Sequence, residues 1–139
     1  MKKIVILFVL ALMGLSCKQT ITEADLHHLN GYWEIEKVEL PDGEKKEYKV
    51  NETIDFFKIV QKKGFRSKVM PQVDGGYLTN DIKESVQVTV IDGQAILHYS
   101  TAYAKWDEEI IALSKDHFVV KNKQDLEYHY KRPVKFSQK

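Results

Sequence analysis

The chain has 139 residues, 43% of them hydrophobic, with 21 basic and 20 acidic residues and one cysteine. That is enough apolar material for one core of ordinary domain size, while the near-neutral charge lacks the basic footprint of a nucleic-acid binder. A lone cysteine rules out an intramolecular disulfide.

At the N-terminus, Lys2 and Lys3 precede an uncharged apolar run from Ile4 to Met13, the layout of a secretory signal peptide. Even extended to Leu15, the run falls short of the roughly 20 residues a membrane-crossing helix needs, which favours cleavage over retention. Gly14-Leu15-Ser16-Cys17 resembles the bacterial lipoprotein signal, in which a small residue directly precedes a lipidated cysteine. The resemblance implies a signal peptide over residues 1–16, lipid on Cys17 and attachment to a bacterial membrane as the first partner. Each buried acyl methylene contributes about 0.8 kcal/mol, so two or three chains anchor stably where one does not. Without Lys2 and Lys3, 19 basic residues remain against 20 acidic ones. Lys18-Gln19-Thr20 is not an acidic run of the kind that marks some lipoproteins for the cell's outer face, so the expected location is the cell envelope, on the outer membrane facing the periplasm.

Residues 17–28 are expected to form a polar tether and a short helix over 22–29, with Thr22 as N-cap and Glu23 and Asp25 in the first turn, where carboxylates favour the helix dipole. Period two then takes over: Val86, Val88 and Val90 alternate with Gln87 and Thr89, and Leu126, Tyr128 and Tyr130 with Glu127 and His129, the pattern of half-buried antiparallel strands. Turn signals at Pro41-Asp42-Gly43, Lys63-Gly64, Asp74-Gly75-Gly76, Asp92-Gly93, Lys115-Asp116 and Lys123-Gln124-Asp125 separate strands near 31–40, 53–60, 65–70, 76–78, 84–91, 94–101, 106–113, 117–121 and 126–132. The expected fold is all-β, an up-and-down antiparallel barrel of eight or nine strands over residues 29–133, with a tail at 134–139; closing on itself removes exposed edges. A two-layer sandwich would show the same alternation.

Gly31-Tyr32-Trp33, opening the first strand after a helical stretch, matches the Gly-x-Trp signature of lipocalins, and Arg132 ends the last strand where lipocalins set a basic residue against that tryptophan. The chain resembles the small lipocalin-like lipoproteins common in Bacteroidetes. The resemblance implies a barrel closed at one end by Trp33 and Arg132, with Gly31 permitting close backbone approach. Parity agrees, since Arg132 shares the strand face of Tyr128 and Tyr130, and a guanidinium over an indole contributes roughly 0.5–2 kcal/mol.

By parity the inward residues are Ile35, Phe57, Tyr77, Val88, Leu97, Tyr99, Trp106, Tyr128 and Tyr130, the candidate lining of a ligand cavity. An eight-stranded barrel is wide enough either to be filled by side chains or to hold one small ligand. The functional expectation is a membrane-anchored binder of a small apolar or amphipathic molecule. The alternative is a filled barrel that binds or inhibits a protein partner of unknown identity through an apolar patch near Phe56, Tyr103 or Phe136. An enzyme is not expected: His27, His28, His98, His117 and His129 offer bases, yet no serine-centred glycine elbow, P-loop or dinucleotide pattern is present. No catalytic residue, cofactor or metal ligand is assigned, because His27 and His28 are adjacent and no cysteine pair accompanies them. Lys58, Lys62, Lys63, Arg66 and Lys68 read as a solvated hairpin rather than a polyanion site, and Asp107, Glu108 and Glu109 as a charged hairpin turn rather than a cation site.

Overall fold

The computed structural model describes residues 18–48 and 53–134. The predicted signal peptide, Cys17 and Phe136 lie outside the described residues. A short 3-10 helix, Glu23–Leu29, precedes nine strands: β1 Gly31–Glu39, β2 Lys45–Glu47, β3 Ile54–Val60, β4 Lys63–Pro71, β5 Tyr77–Ile91, β6 Gln94–Ser100, β7 Lys105–Leu113, β8 His117–Lys121 and β9 Glu127–Lys131. Strands β3 to β9 pair in sequence order, β3 pairs with β1, and β9 returns to β1. The result is a closed eight-stranded antiparallel barrel with β2 as an extra strand on β1. Closure between Glu34–Glu39 of β1 and Lys131–Glu127 of β9 excludes the sandwich, whose sheets keep free edges.

β1 divides its second edge between two partners. Gly31 to Trp33 face Phe57 to Asp55 of β3, whereas Lys37 to Glu39 face Glu47 to Lys45 of β2. The wall therefore parts between β1 and β3 just beyond Trp33.

Because directly opposed residues in antiparallel pairs share a face, the register defines the inside. Phe57, Ile59, Val86, Val88, Ala95, Leu97, Ile110, Leu113, Phe118 and Val120 form the core, covered at one end by Ile21, Leu26 and Leu29. Full burial of such a side chain contributes roughly 1.5–3 kcal/mol.

Four local features differ from the expectation. The helix is 3-10, entered through Thr22, whose backbone N–H and hydroxyl both donate to Asp25 Oδ2 at 2.9 and 3.0 Å. The segment from Lys18 to Ile21 is packed rather than a free tether: Gln19 exchanges hydrogen bonds with Leu113 (Nε2 to the carbonyl, 3.0 Å; Oε1 from the amide, 2.9 Å), Ile21 N–H donates to the Gly93 carbonyl at 2.9 Å, and Ile21 is fully buried. β2 was not anticipated, since Lys45-Lys46-Glu47 is exposed throughout and shows no apolar alternation. The two strands expected at 76–78 and 84–91 are one, β5, which passes through Asp81 in the left-handed region (φ 61°) without ending.

Candidate ligand site in the open half of the barrel

The closed end is sealed by backbone-directed hydrogen bonds. Trp33 is fully buried and donates its indole N–H to the Leu29 carbonyl at 2.8 Å. The Arg132 guanidinium carbon lies 3.6 Å from the indole centroid, and its nitrogens donate to the carbonyls of Lys115 (2.8 Å), His28 (2.8 Å), Tyr32 (3.0 Å) and Asn30 (3.3 Å). Gly31 passes beneath at φ +106°, where a Cβ would stand 3.2 Å from Arg132 Nη1. Phe118 packs on the other side, 5.3 Å from the tryptophan ring. Among the described residues, these side chains and carbonyls pack this end of the barrel.

Toward the other end the same strands turn ionic. Register sets Asp55 opposite Trp33, Lys68 opposite Asp55, Arg66 opposite Phe57, Glu84 opposite Arg66 and Glu108 opposite Leu97. Arg66, only 9% exposed, makes a two-pronged pair with Glu84 (Nε–Oε1 2.8 Å, Nη2–Oε2 3.0 Å) and lies over the Tyr99 ring at 4.4 Å. Burial by itself would lower the Arg66 pKa, but Tyr99, the Glu84 hydrogen bond and Asp55 outweigh it and hold the guanidinium protonated. Lys68 reaches in from the rim to Asp55 at 2.6 Å.

Glu108 is 8% exposed and sits 3.9 Å from Arg66 Nη1. Burial pushes its carboxyl above the ordinary range, against the pull of Arg66. The Tyr99 hydroxyl and the Glu108 carboxyl are both shut off from solvent and pair with each other, the hydroxyl donating, which works against burial at the carboxyl. Burial likewise drives the Tyr99 and Tyr130 hydroxyls well above their ordinary pKa.

Where the wall parts, an open pocket of about 210 Å3 is lined by Trp33, Ile35, Val38, Tyr48, Thr53, Asp55, Lys68, Tyr128 and Tyr130. Of the residues expected to line a cavity, Ile35, Tyr128 and Tyr130 stand here. Phe57, Val88 and Leu97 belong to the packed core. Tyr99 and Trp106 stack at 5.2 Å on the far wall of the open half. Tyr77 is not inside: it stacks on Tyr32 at 4.0 Å, on the strand face opposite Trp33, in an outer aromatic cluster with Phe56 and Phe65. Since β5 is continuous, Tyr77 lies an odd number of residues from Val86 and Val88 and must face outward.

The charged interior is the main departure from the sequence reading. Arg66 does not belong to a solvated hairpin and Glu108 does not belong to a turn; both are strand residues that face into the barrel. The signal was present, because Glu108 shares the parity of Trp106 within one predicted strand. Of the patch anticipated near Phe56 and Tyr103, only Tyr103 is free, 98% exposed in the β6–β7 turn, whereas Phe56 packs on Tyr32. Exposed Met70, Val73, Leu78 and Ile82 instead line the β4–β5 arm.

On the outer face, Glu39, Glu127 and His129 bring ligand atoms within 4.8 Å of one another, a spacing that could hold a metal ion. Lys37 and Lys45 already approach Glu39 at 3.4 and 3.6 Å, so the trio also reads as a cross-strand ion-pair lattice.

Residues 29–120 match a family model described as a lipocalin-like domain. The fold is similar to the crystal structure of a lipocalin-like protein from Bacteroides uniformis, at 13% identity and a TM-score of 0.50, covering 76% of this chain and 99% of that one. An uncharacterized protein from Bacteroides eggerthii is similar at 13% identity with a TM-score of 0.48 and the same coverage. No curated protein matches the sequence.

Proposed function

The chain belongs to the lipocalin-like domain family, and from that premise we propose that it binds a small amphipathic molecule in the open half of its barrel, as a lipid-anchored protein of the bacterial cell envelope. Members of this family are typically non-catalytic binding proteins. The observation that carries the reading is the pocket of about 210 Å3 at the parting of β1 and β3, walled by Tyr48, Tyr128 and Tyr130 on one side of an ionic floor. Rings and aliphatic side chains suit an apolar body, and a few convergent polar groups suit an oriented head.

Anchoring rests on the signal layout and on Cys17, which directly precedes the docked segment Lys18–Ile21. That segment lies at the closed end, beside Gly93 and Leu113. A lipid on Cys17 would hold this end toward the membrane and turn the mouth toward the aqueous compartment, so the ligand would arrive from solution rather than from the bilayer.

Native mass spectrometry of the protein purified from its own host tests the binding reading. The expected result is an excess mass that disappears in Tyr128→Ala; a bare mass in every preparation would sink it. The exposed apolar residues of the β4–β5 arm favour a second reading, a partner-binding protein. Cross-linking in intact envelopes checks that, and a monomer with no enriched partner would count against it.

A further inference from the structure

The pocket where β1 and β3 part is bordered by one ion pair, Asp55 with Lys68 at 2.6 Å. Its two members are not equally open to an entering molecule. Asp55 is 6% exposed, whereas the Lys68 side chain keeps 53% of its surface in solvent. An ammonium has three N–H donors, and among the described residues Asp55 is the partner that Lys68 engages. Two donors are left for water or a ligand. Arg66, Glu84 and Glu108 pair among themselves and do not line the pocket.

The accessible member of the pair sets the sign of charge that the pocket receives. A carboxylate arriving from solution meets an ammonium with donors to spare and can share it with Asp55. An arriving ammonium meets Lys68 first, and the carboxylate that would hold it is buried and engaged. The walls add donors without adding charge, since burial raises the Tyr128 and Tyr130 hydroxyls above their ordinary range and keeps them protonated. Size and shape narrow the class further. The volume of about 210 Å3 is below the roughly 300–1,000 Å3 of drug-sized ligand sites. Tyr48, Tyr128 and Tyr130 stand with Ile35 and Val38 around it, and aromatic walls favour a ring that can meet them edge or face.

We propose that this pocket takes a compact aryl carboxylate, its carboxylate on the free donors of Lys68 and its ring against Ile35, Val38 and Tyr128. The inference rests on the barrel-binding reading and adds the charge and shape of the ligand. A long-chain acid would have to leave part of its tail in solvent.

Isothermal titration of the purified full chain with phenylacetate, phenethylamine and phenethyl alcohol tests the charge, and octanoate, with as many heavy atoms and no ring, tests the shape. Phenylacetate is expected to bind about five- to tenfold tighter than the alcohol, the factor that one half-screened charge-assisted hydrogen bond supplies, with the amine and octanoate weaker than phenylacetate. Lys68→Met is expected to abolish the preference for acid over alcohol. Because that change strands the buried Asp55, the double variant of Asp55→Asn with Lys68→Met removes both charges together, and it is expected to lose the preference in the same way should the single variant fail to fold. Binding of the amine, the alcohol or octanoate as tight as that of phenylacetate, or a preference that survives both variants, would overturn the proposal while leaving a ligand-binding barrel intact. Binding of none of the four would overturn the proposal and the binding reading together.

Discussion

Between Trp33 and Val120 the barrel interior is aromatic and aliphatic, and at that end Arg132 donates to four backbone carbonyls. A few residues along the same strands the composition inverts: Phe57 gives way to Asp55, Val86 to Glu84, Ile110 to Glu108. One half follows the rule for stable interiors, in which every polar group is matched. The other buries an ionic cluster, Asp55 with Lys68 and Arg66 with Glu84 and Glu108, and Asp55 and Lys68 of that cluster line the pocket. On the proposed reading, stability and binding are divided along the barrel axis: the aliphatic end is packed, and the ionic end carries the pocket.

Four substitutions break or sharpen this contrast. Trp33→Ala removes the centre of the plug and is expected to cost about 3–5 kcal/mol, read from the shift of the urea midpoint. Arg66→Met leaves Glu84 and Glu108 buried without their cation and is expected to cost a comparable amount, about 3–5 kcal/mol; a near-neutral result would mean that the open half is more hydrated than its burial implies. Gly31→Ala forces a side chain into a backbone conformation reserved for glycine, at an expected cost of about 1–3 kcal/mol, again by urea unfolding.

The smallest effect has the opposite sign. The Glu108 carboxyl keeps its proton to higher pH in the folded protein than in the unfolded chain, because burial penalises its charge. The folded state then binds more protons, so this group makes stability fall as pH rises from the ordinary carboxylate range toward its raised folded pKa. Glu108→Gln is expected to abolish that decline and to stabilise the unliganded protein slightly at neutral pH. If the open half were ordinary core, the same substitution would destabilise it.

The barrel was legible because strand alternation such as Val86-Gln87-Val88 and turn pairs such as Asp92-Gly93 are local signals. The ionic half was not, for a physical reason. Arg66 stands among Lys62, Lys63 and Lys68, and Glu108 between Asp107 and Glu109, runs whose composition says solvent. Only pairing across strands, with Arg66 against Phe57 and Glu108 against Leu97, assigns one member of each run to the interior. Tyr77 faces outward, against the expectation, because Thr79-Asn80-Asp81 interrupts the apolar pattern without interrupting the strand, so its parity is not legible from Val86. β2 left no apolar trace at all.

The proposed division of the barrel into a packed half and a binding half is tested most directly by backbone amide chemical-shift mapping during a titration with 1-octanol, a small uncharged amphiphile. Shifts concentrated at Ile35, Asp55, Tyr128 and Tyr130, with Leu97, Ile110 and Val120 unmoved, are the predicted result. Shifts centred on Met70, Leu78 and Ile82 of the β4–β5 arm, or spread evenly over both halves, would contradict it.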